Sequence, residues 1–243
     1  MAKYYDIYDS FANFKTLSVD ELKRNIEKSL SNEKNNEPVF VEASSRKICK
    51  SWWGDTWCKN LERYADYDSR LGRGRSYVRS GAVIDLKIKG GRINAKVQGS
   101  RSKPYKVKVH IDELDEKQRL KIEKQASGKL RDLESLINGD FPEDLKELFF
   151  QKGGLFPSPE EIHFDCTCPD WADMCKHVAA VLYGVGVRLD SNPLYFFQMR
   201  GIDIEKFVDK VVSGKVQKML DNANNDSPRI LKNADLLEIF SLT

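Results

Sequence analysis

A chain of 243 residues, 40% hydrophobic and 32% charged, can bury one sizeable core or split into two modest domains. It has no apolar run near the roughly 18 residues a membrane span needs, and its opening M-A-K-Y-Y-D-I-Y lacks the basic and apolar regions of an export signal, so a cytoplasmic protein with no membrane partner is expected. The net charge of +3 conceals a segregation: from Arg70 to Lys108 twelve Lys/Arg stand against one acid, Asp85, leaving +11 there and −8 elsewhere, the distribution of a chain with one polyanion-facing block.

Residues 1–45 open on aromatics (Tyr4, Tyr5, Tyr8, Phe11, Phe14), and Ser18-x-x-Glu21 is a capping box that predicts a helix to about Leu30. The polar run S-N-E-K-N-N-E-P (31–38) reads as a linker or loop. In S-W-W-G-D-T-W-C the indoles of Trp52, Trp53 and Trp57 recur at helical spacing. That suits a short helix laying them on a core, with base stacking as the sharper alternative.

Three runs, 82–88, 92–98 and 105–111, alternate apolar and polar residues with period two and predict half-buried antiparallel strands. Gly90-Gly91 marks a hairpin turn between the first two. One face of this sheet is apolar and the other largely cationic. From Asp115 to about Asn138 the pattern becomes helical, and Pro142 begins another short helix. Ser158-Pro159-Glu160-Glu161 makes a single capped turn before the strand-like I-H-F-D-C, and V-A-A-V-L-Y-G-V-G-V-R-L (178–189) reads as an apolar helix. Amphipathic segments at 203–221 and 228–241 close the chain.

The stretch C-T-C-P-D-W-A-D-M-C-K-H holds three of the five cysteines and one of the three histidines. An odd, clustered cysteine set fits ligands in a reducing compartment better than a disulfide framework. Cys166 and Cys168 are two apart at a strand end, so both thiols can face one way. Pro169 turns the chain, and Asp173 is a plausible N-cap for a helix whose first turn carries Cys175 and His177. Three thiolates and one imidazole complete a tetrahedron of the closed kind that zinc prefers. A redox reading would want C-x-x-C, which is absent. A zinc deaminase would show H-x-E with P-C-x-x-C. Four protein ligands leave no open position, so one structural Zn²⁺ is expected, not a catalytic one.

C-T-C, six residues and C-K-H resemble the C-x-C-x(n)-C-x-H pattern of the SWIM zinc finger, with matching flanks in Pro169-Asp170-Trp171 and V-A-A-V-L-Y-G-V-G. W-W-G-D-T-W, R-G-R-S-Y-V-R-S-G, V-Q-G-S-R and L-F-P-S-P-E-E-I also look like a group of small prokaryotic SWIM-domain proteins, so the resemblance covers roughly Ser51 to Asp190. It implies zinc at Cys166, Cys168, Cys175 and His177, and a DNA-binding or protein-interaction role. Members of that group are commonly encoded beside SWI/SNF-type helicases, which implies an accessory role there.

Outside the cluster, Cys49 and Cys58 read as buried or idle, His163 as exposed, and His110 as a residue of the cationic face with no obvious partner. Arg70, Arg73, Arg75 and Arg79 are read as a glycine-opened loop in which the backbone can approach a ligand, and Arg101 and Lys103 as a second loop. Guanidinium, serine and amide groups suit phosphate oxygens. Contacts to DNA or RNA would then be non-specific and salt-dependent.

The expected architecture is α+β: an N-terminal helical arm (1–45), a basic β-rich domain (46–112), a helical connector (113–152), a zinc-stabilised SWIM finger (153–200) and C-terminal helices (201–243). The expected role is a non-enzymatic adaptor that contacts nucleic acid and serves a SWI/SNF-type helicase. The alternatives are a pure protein-interaction subunit of such a complex and, with no carboxylate cluster or open metal site visible, a hydrolase or nuclease.

Overall fold

The computed structural model describes residues 18–32, 35–42, 47–63, 65, 68–126, 143–151, 153–210 and 213. The expected helical stretches at 127–138 and 228–241, and the N-terminal aromatics, lie outside them. In chain order the elements are α1 (Val19–Asn32), α2 (Trp52–Leu61), α3 (Asp68–Arg79), β1 (Val83–Lys89), β2 (Arg92–Val97), β3 (Tyr105–Ile111), α4 (Glu116–Ala126), α5 (Glu143–Phe150), a 3-10 turn (Pro159–Glu161), β4 (Ile162–Cys166), α6 (Lys176–Ser191) and α7 (Tyr195–Met199).

Period two in the sequence becomes one antiparallel sheet of order β1-β2-β3-β4. The turn between β1 and β2 places Gly90 at φ 59°, a left-handed conformation glycine adopts without penalty. Register then sorts the side chains. Leu86, Ala95, Val107 and Cys166 form one cross-strand row, and Ile88, Ile93, Val109 and Phe164 another, on the face that meets the core. The alternate rows carry Lys87, Asn94, Lys108 and Asp165, and Lys89, Arg92, His110 and His163. Backbone bonds from Val39 N to Val83 O and from Leu86 N to Glu37 O lay residues 37–39 along the outer edge of β1, which removes an open edge.

Helix α6 is the hub. Its residues from His177 to Gly186 are all buried, and it touches all four strands as well as α2 and α3. An all-round apolar helix must be surrounded, and the sheet covers one side of it. On another side, α2 supplies the indoles: Trp57 Nε1 donates to Leu182 O at 2.9 Å and Trp53 Nε1 to Leu189 O at 2.9 Å. Trp53 and Trp57 are buried, and half-buried Trp52 packs edge-on against Phe149 with ring centroids 5.4 Å apart. The tryptophans at helical spacing are therefore core residues. Because β4 pairs with β3 and α6 packs on every strand, the basic β region and the Cys/His cluster share one core.

Residues 68–79 correct one expectation. The arginine-rich stretch is helix α3, not a glycine-opened loop. Leu71, Gly74 and Val78 lie on its buried side, an i, i+3, i+7 stripe. The close approach that Gly74 permits is to α6: a Cβ there would stand 2.6 Å from Ala179 Cβ and 3.0 Å from Ala180 N.

Candidate metal centre and the basic surfaces

Cys166 ends β4, Cys168 follows in the turn, and Cys175 and His177 begin α6, so four ligand atoms converge from two elements to within 4.8 Å of one another. His177 Nδ1 lies 3.9 Å from Cys175 Sγ and 4.0 Å from Cys166 Sγ. A zinc tetrahedron with Zn–S of about 2.3 Å and Zn–N of about 2.0 Å has edges of roughly 3.5–3.8 Å, so these residues are placed to hold the ion at separations somewhat wider than those edges. One expectation about the local chain changes. Cys175, not Asp173, is the N-cap of α6, its Sγ accepting from Val178 N at 3.5 Å. A ligand sulfur at that position receives a helix N–H as well as the metal, so cap and ligand are one residue.

The three thiols of the cluster are tightly coupled. Hydrogen bonds from Cys166 and Cys175 pull the Cys168 thiol far below its ordinary range. The same bonds and burial push Cys166 far above it. Cys175, drawn down by Cys166 but pushed up by Cys168 and burial, is held at about 11. The trio thus surrenders one proton readily and resists losing the others; a divalent ion at the centre reverses that for all three. His177 is buried, Nε2 has no hydrogen-bond partner, and the ring stacks on Tyr105 with centroids 4.4 Å apart. Nδ1, in contrast, faces the Cys166 and Cys175 sulfurs, so it is the nitrogen placed to take the metal.

The family model of the SWIM zinc finger matches residues 165–185. The chain carries a SWIM zinc finger. Its four ligands are those the finger requires, and they are positioned for a single zinc ion. Beyond the finger, the chain is similar to the uncharacterized protein Rv2102 of Mycobacterium tuberculosis (strain ATCC 25618 / H37Rv), 34% identical over 170 residues, which are 69% of this chain and 61% of that protein. No solved structure matches. Among the described residues no helix is long and apolar enough to cross a membrane.

The SWIM finger is tied to the expected phosphate-binding arginines, but not in the way a phosphate cradle would be. Arg70 is partly buried and bonded at 3.0 Å to Asp170 in the finger's own loop, which pins that loop to α3. Arg75 is paired with Glu62 and lies over the Tyr183 ring. Arg101 covers the Tyr105 ring at 5.4 Å. Arg73, Arg79 and Lys103 are exposed. The six residues therefore divide between α3 and the 98–104 loop, with Arg70, Arg75 and Arg101 held against neighbouring side chains.

Two features escaped the sequence. His110, read as having no partner, faces His163 across β3 and β4, with rings stacked at 6.0 Å and Asp112 beside both. Cys49 and Cys58, remote from the finger, bring their sulfurs to 3.3 Å where Gly186 of α6 leaves room; a Cβ there would sit 2.7 Å from Cys49 Sγ. Hydrogen bonding to Cys58, then burial, pushes the Cys49 thiol up. It is thus a weak nucleophile and a packing residue.

Proposed function

We propose that this chain is a non-enzymatic adaptor that contacts nucleic acid through the open face of its sheet, with the SWIM finger as the clasp holding that sheet to α6. One observation carries the reading. Lys89, Arg92, Lys106 and Lys108 occupy exposed positions on that face, and none has an ion-pair partner among the described residues. Cations at strand spacing, uncommitted within the fold, suit a phosphate backbone. This moves the expected contact surface from the α3 arginines, of which Arg70 and Arg75 serve the fold, to strands of the same basic block. Exposed Arg73, Arg79 and Lys103 remain candidates for outlying contacts. The cations offered suit phosphate oxygens, which carry no base identity, so binding without sequence preference is expected. Service to a SWI/SNF-type helicase rests on the resemblance to the prokaryotic group, and an interaction subunit without nucleic-acid binding is the competing reading.

The test is fluorescence anisotropy with single-stranded and duplex oligonucleotides at low salt. Binding should fade steeply as salt rises. Replacing Lys89, Arg92, Lys106 and Lys108 together by Glu should abolish it, and replacing Arg73 and Arg79 should weaken it less. No binding at low salt, with a helicase that co-purifies from the native host after nuclease treatment, would replace this reading with the interaction subunit.

A further inference from the structure

Two of the chain's three histidines meet on the open face of the sheet. His110 and His163 are directly opposed across β3 and β4, and Arg92 of β2 pairs with His110 on its other side, so the three form one row. The adjoining row brings Asn94, Lys108 and Asp165 together. Between the rows lies a shallow concavity of about 300 Å³ lined by these six polar residues together with Ile93, Val109 and Phe164.

A single carboxylate orders the two rings. Asp112 Oδ1 lies 3.5 Å from His110 Nε2 and 3.2 Å from His163 Nε2. Its charge is engaged by the imidazoles, and both rings stay more than half exposed. Arg92 and Lys108 have no hydrogen-bond or ion-pair partner for their side chains among the described residues. The donors present are a guanidinium, an ammonium and a carboxamide, joined by two imidazoles that, when protonated, donate from Nδ1 while Nε2 faces Asp112, all on three adjoining strands. A tetrahedral oxyanion accepts hydrogen bonds from several directions at once, which this set supplies. Two fixed cations on the rim disfavour a divalent metal at the same place. Asp165 is the opposing group: its carboxylate repels an anion and confines it to the side of Arg92 and the histidines.

We propose that this concavity is a phosphate subsite of Arg92, Lys108, His110 and His163. The assignment rests on the nucleic-acid reading only for its natural ligand, a backbone phosphodiester; a free phosphoanion has the same chemistry. Asp112 is a positioning residue, and Asp165 sets how strongly the site binds.

The zinc-loaded full chain offers a clean readout, because it contains only three imidazoles. Ring signals of His110, His163 and His177 are followed by nuclear magnetic resonance during titration with inorganic phosphate and, separately, with a single-stranded oligonucleotide. Both probes should move the His110 and His163 signals saturably and leave that of His177, which also reports that the finger is intact. Arg92→Gln should weaken both probes by about five- to tenfold, the scale of one charge-assisted hydrogen bond at an exposed site. Asp165→Asn should strengthen both, an opposite sign that general damage to the fold would not produce. Phosphate response without oligonucleotide binding retains the subsite and overturns the nucleic-acid reading. Oligonucleotide binding that leaves both histidines unmoved, and is indifferent to Arg92→Gln, overturns the subsite while the reading stands. Signals that move with added Zn²⁺ but not with phosphate overturn it in favour of a metal site.

Discussion

Arg200 is fully buried, and its guanidinium is satisfied by three segments distant in sequence. Nε donates to Gly154 O at 3.1 Å, one terminal nitrogen to Asp112 O at 2.6 Å and the other to Glu161 Oε1 at 2.6 Å. Glu161 also accepts from Ser158 N at 2.7 Å, closing the capped turn before β4. Burial alone would raise the Glu161 pKa, but the bonds from Arg200 and Ser158 outweigh it and hold the carboxyl below its ordinary 4.5. A depressed folded-state pKa means stabilisation that is present above the unfolded value and is lost as pH falls through the folded one. Glu161→Gln should therefore lower stability at pH 7 by about 2–3 kcal/mol, the scale of a hydrogen bond between charged partners. The deficit should shrink as pH drops below 4.5, read as urea midpoints for both proteins at each pH. A deficit unchanged across that window would show that the charge contributes nothing. Nothing around Arg200 in F-F-Q-M-R-G announces this role, because its partners lie 39 to 88 residues away. The four metal ligands were legible, since their spacing within twelve residues already constrains their geometry.

Among the elements, the strands could be read because half-burial imprints period two on a sequence, and α6 because a surrounded helix is apolar throughout. Helix α3 was hidden. In D-S-R-L-G-R-G-R-S-Y-V-R two glycines and four arginines give poor intrinsic helix character, and the stripe Leu71, Gly74, Val78 gains its meaning only from α6. There tertiary packing overrides propensity: the cost of glycine in a helix is offset by the contact it allows with Ala179 and Ala180. Gly74→Val should destabilise by about 1–3 kcal/mol through overpacking, whereas Gly72→Ala, which meets nothing within 4 Å, should stabilise by a few tenths to about 1 kcal/mol. Denaturant unfolding distinguishes them; equal effects at both sites would mean that α3 is not closely packed on α6. The His110–Asp112–His163 group was likewise illegible, because it depends on the β3–β4 register and not on local spacing.

At the scale of the molecule, the SWIM finger joins the end of β4 to the first turn of α6, and α6 is the element on which the sheet, α2 and α3 converge. Zinc at that junction fixes where α6 enters the core. The molecule thus combines a half-buried clasp with an exposed cationic face, and the clasp is the part on which the rest depends. Its most direct test is metal content together with thermal unfolding of the wild type and Cys175→Ala. One zinc per chain is expected in the wild type. Its removal, by chelation or by the substitution, should abolish the cooperative transition, as it does where metal binding supplies folding free energy of about 10 kcal/mol or more. A zinc-free Cys175→Ala chain that unfolds cooperatively at the wild-type temperature would contradict the account.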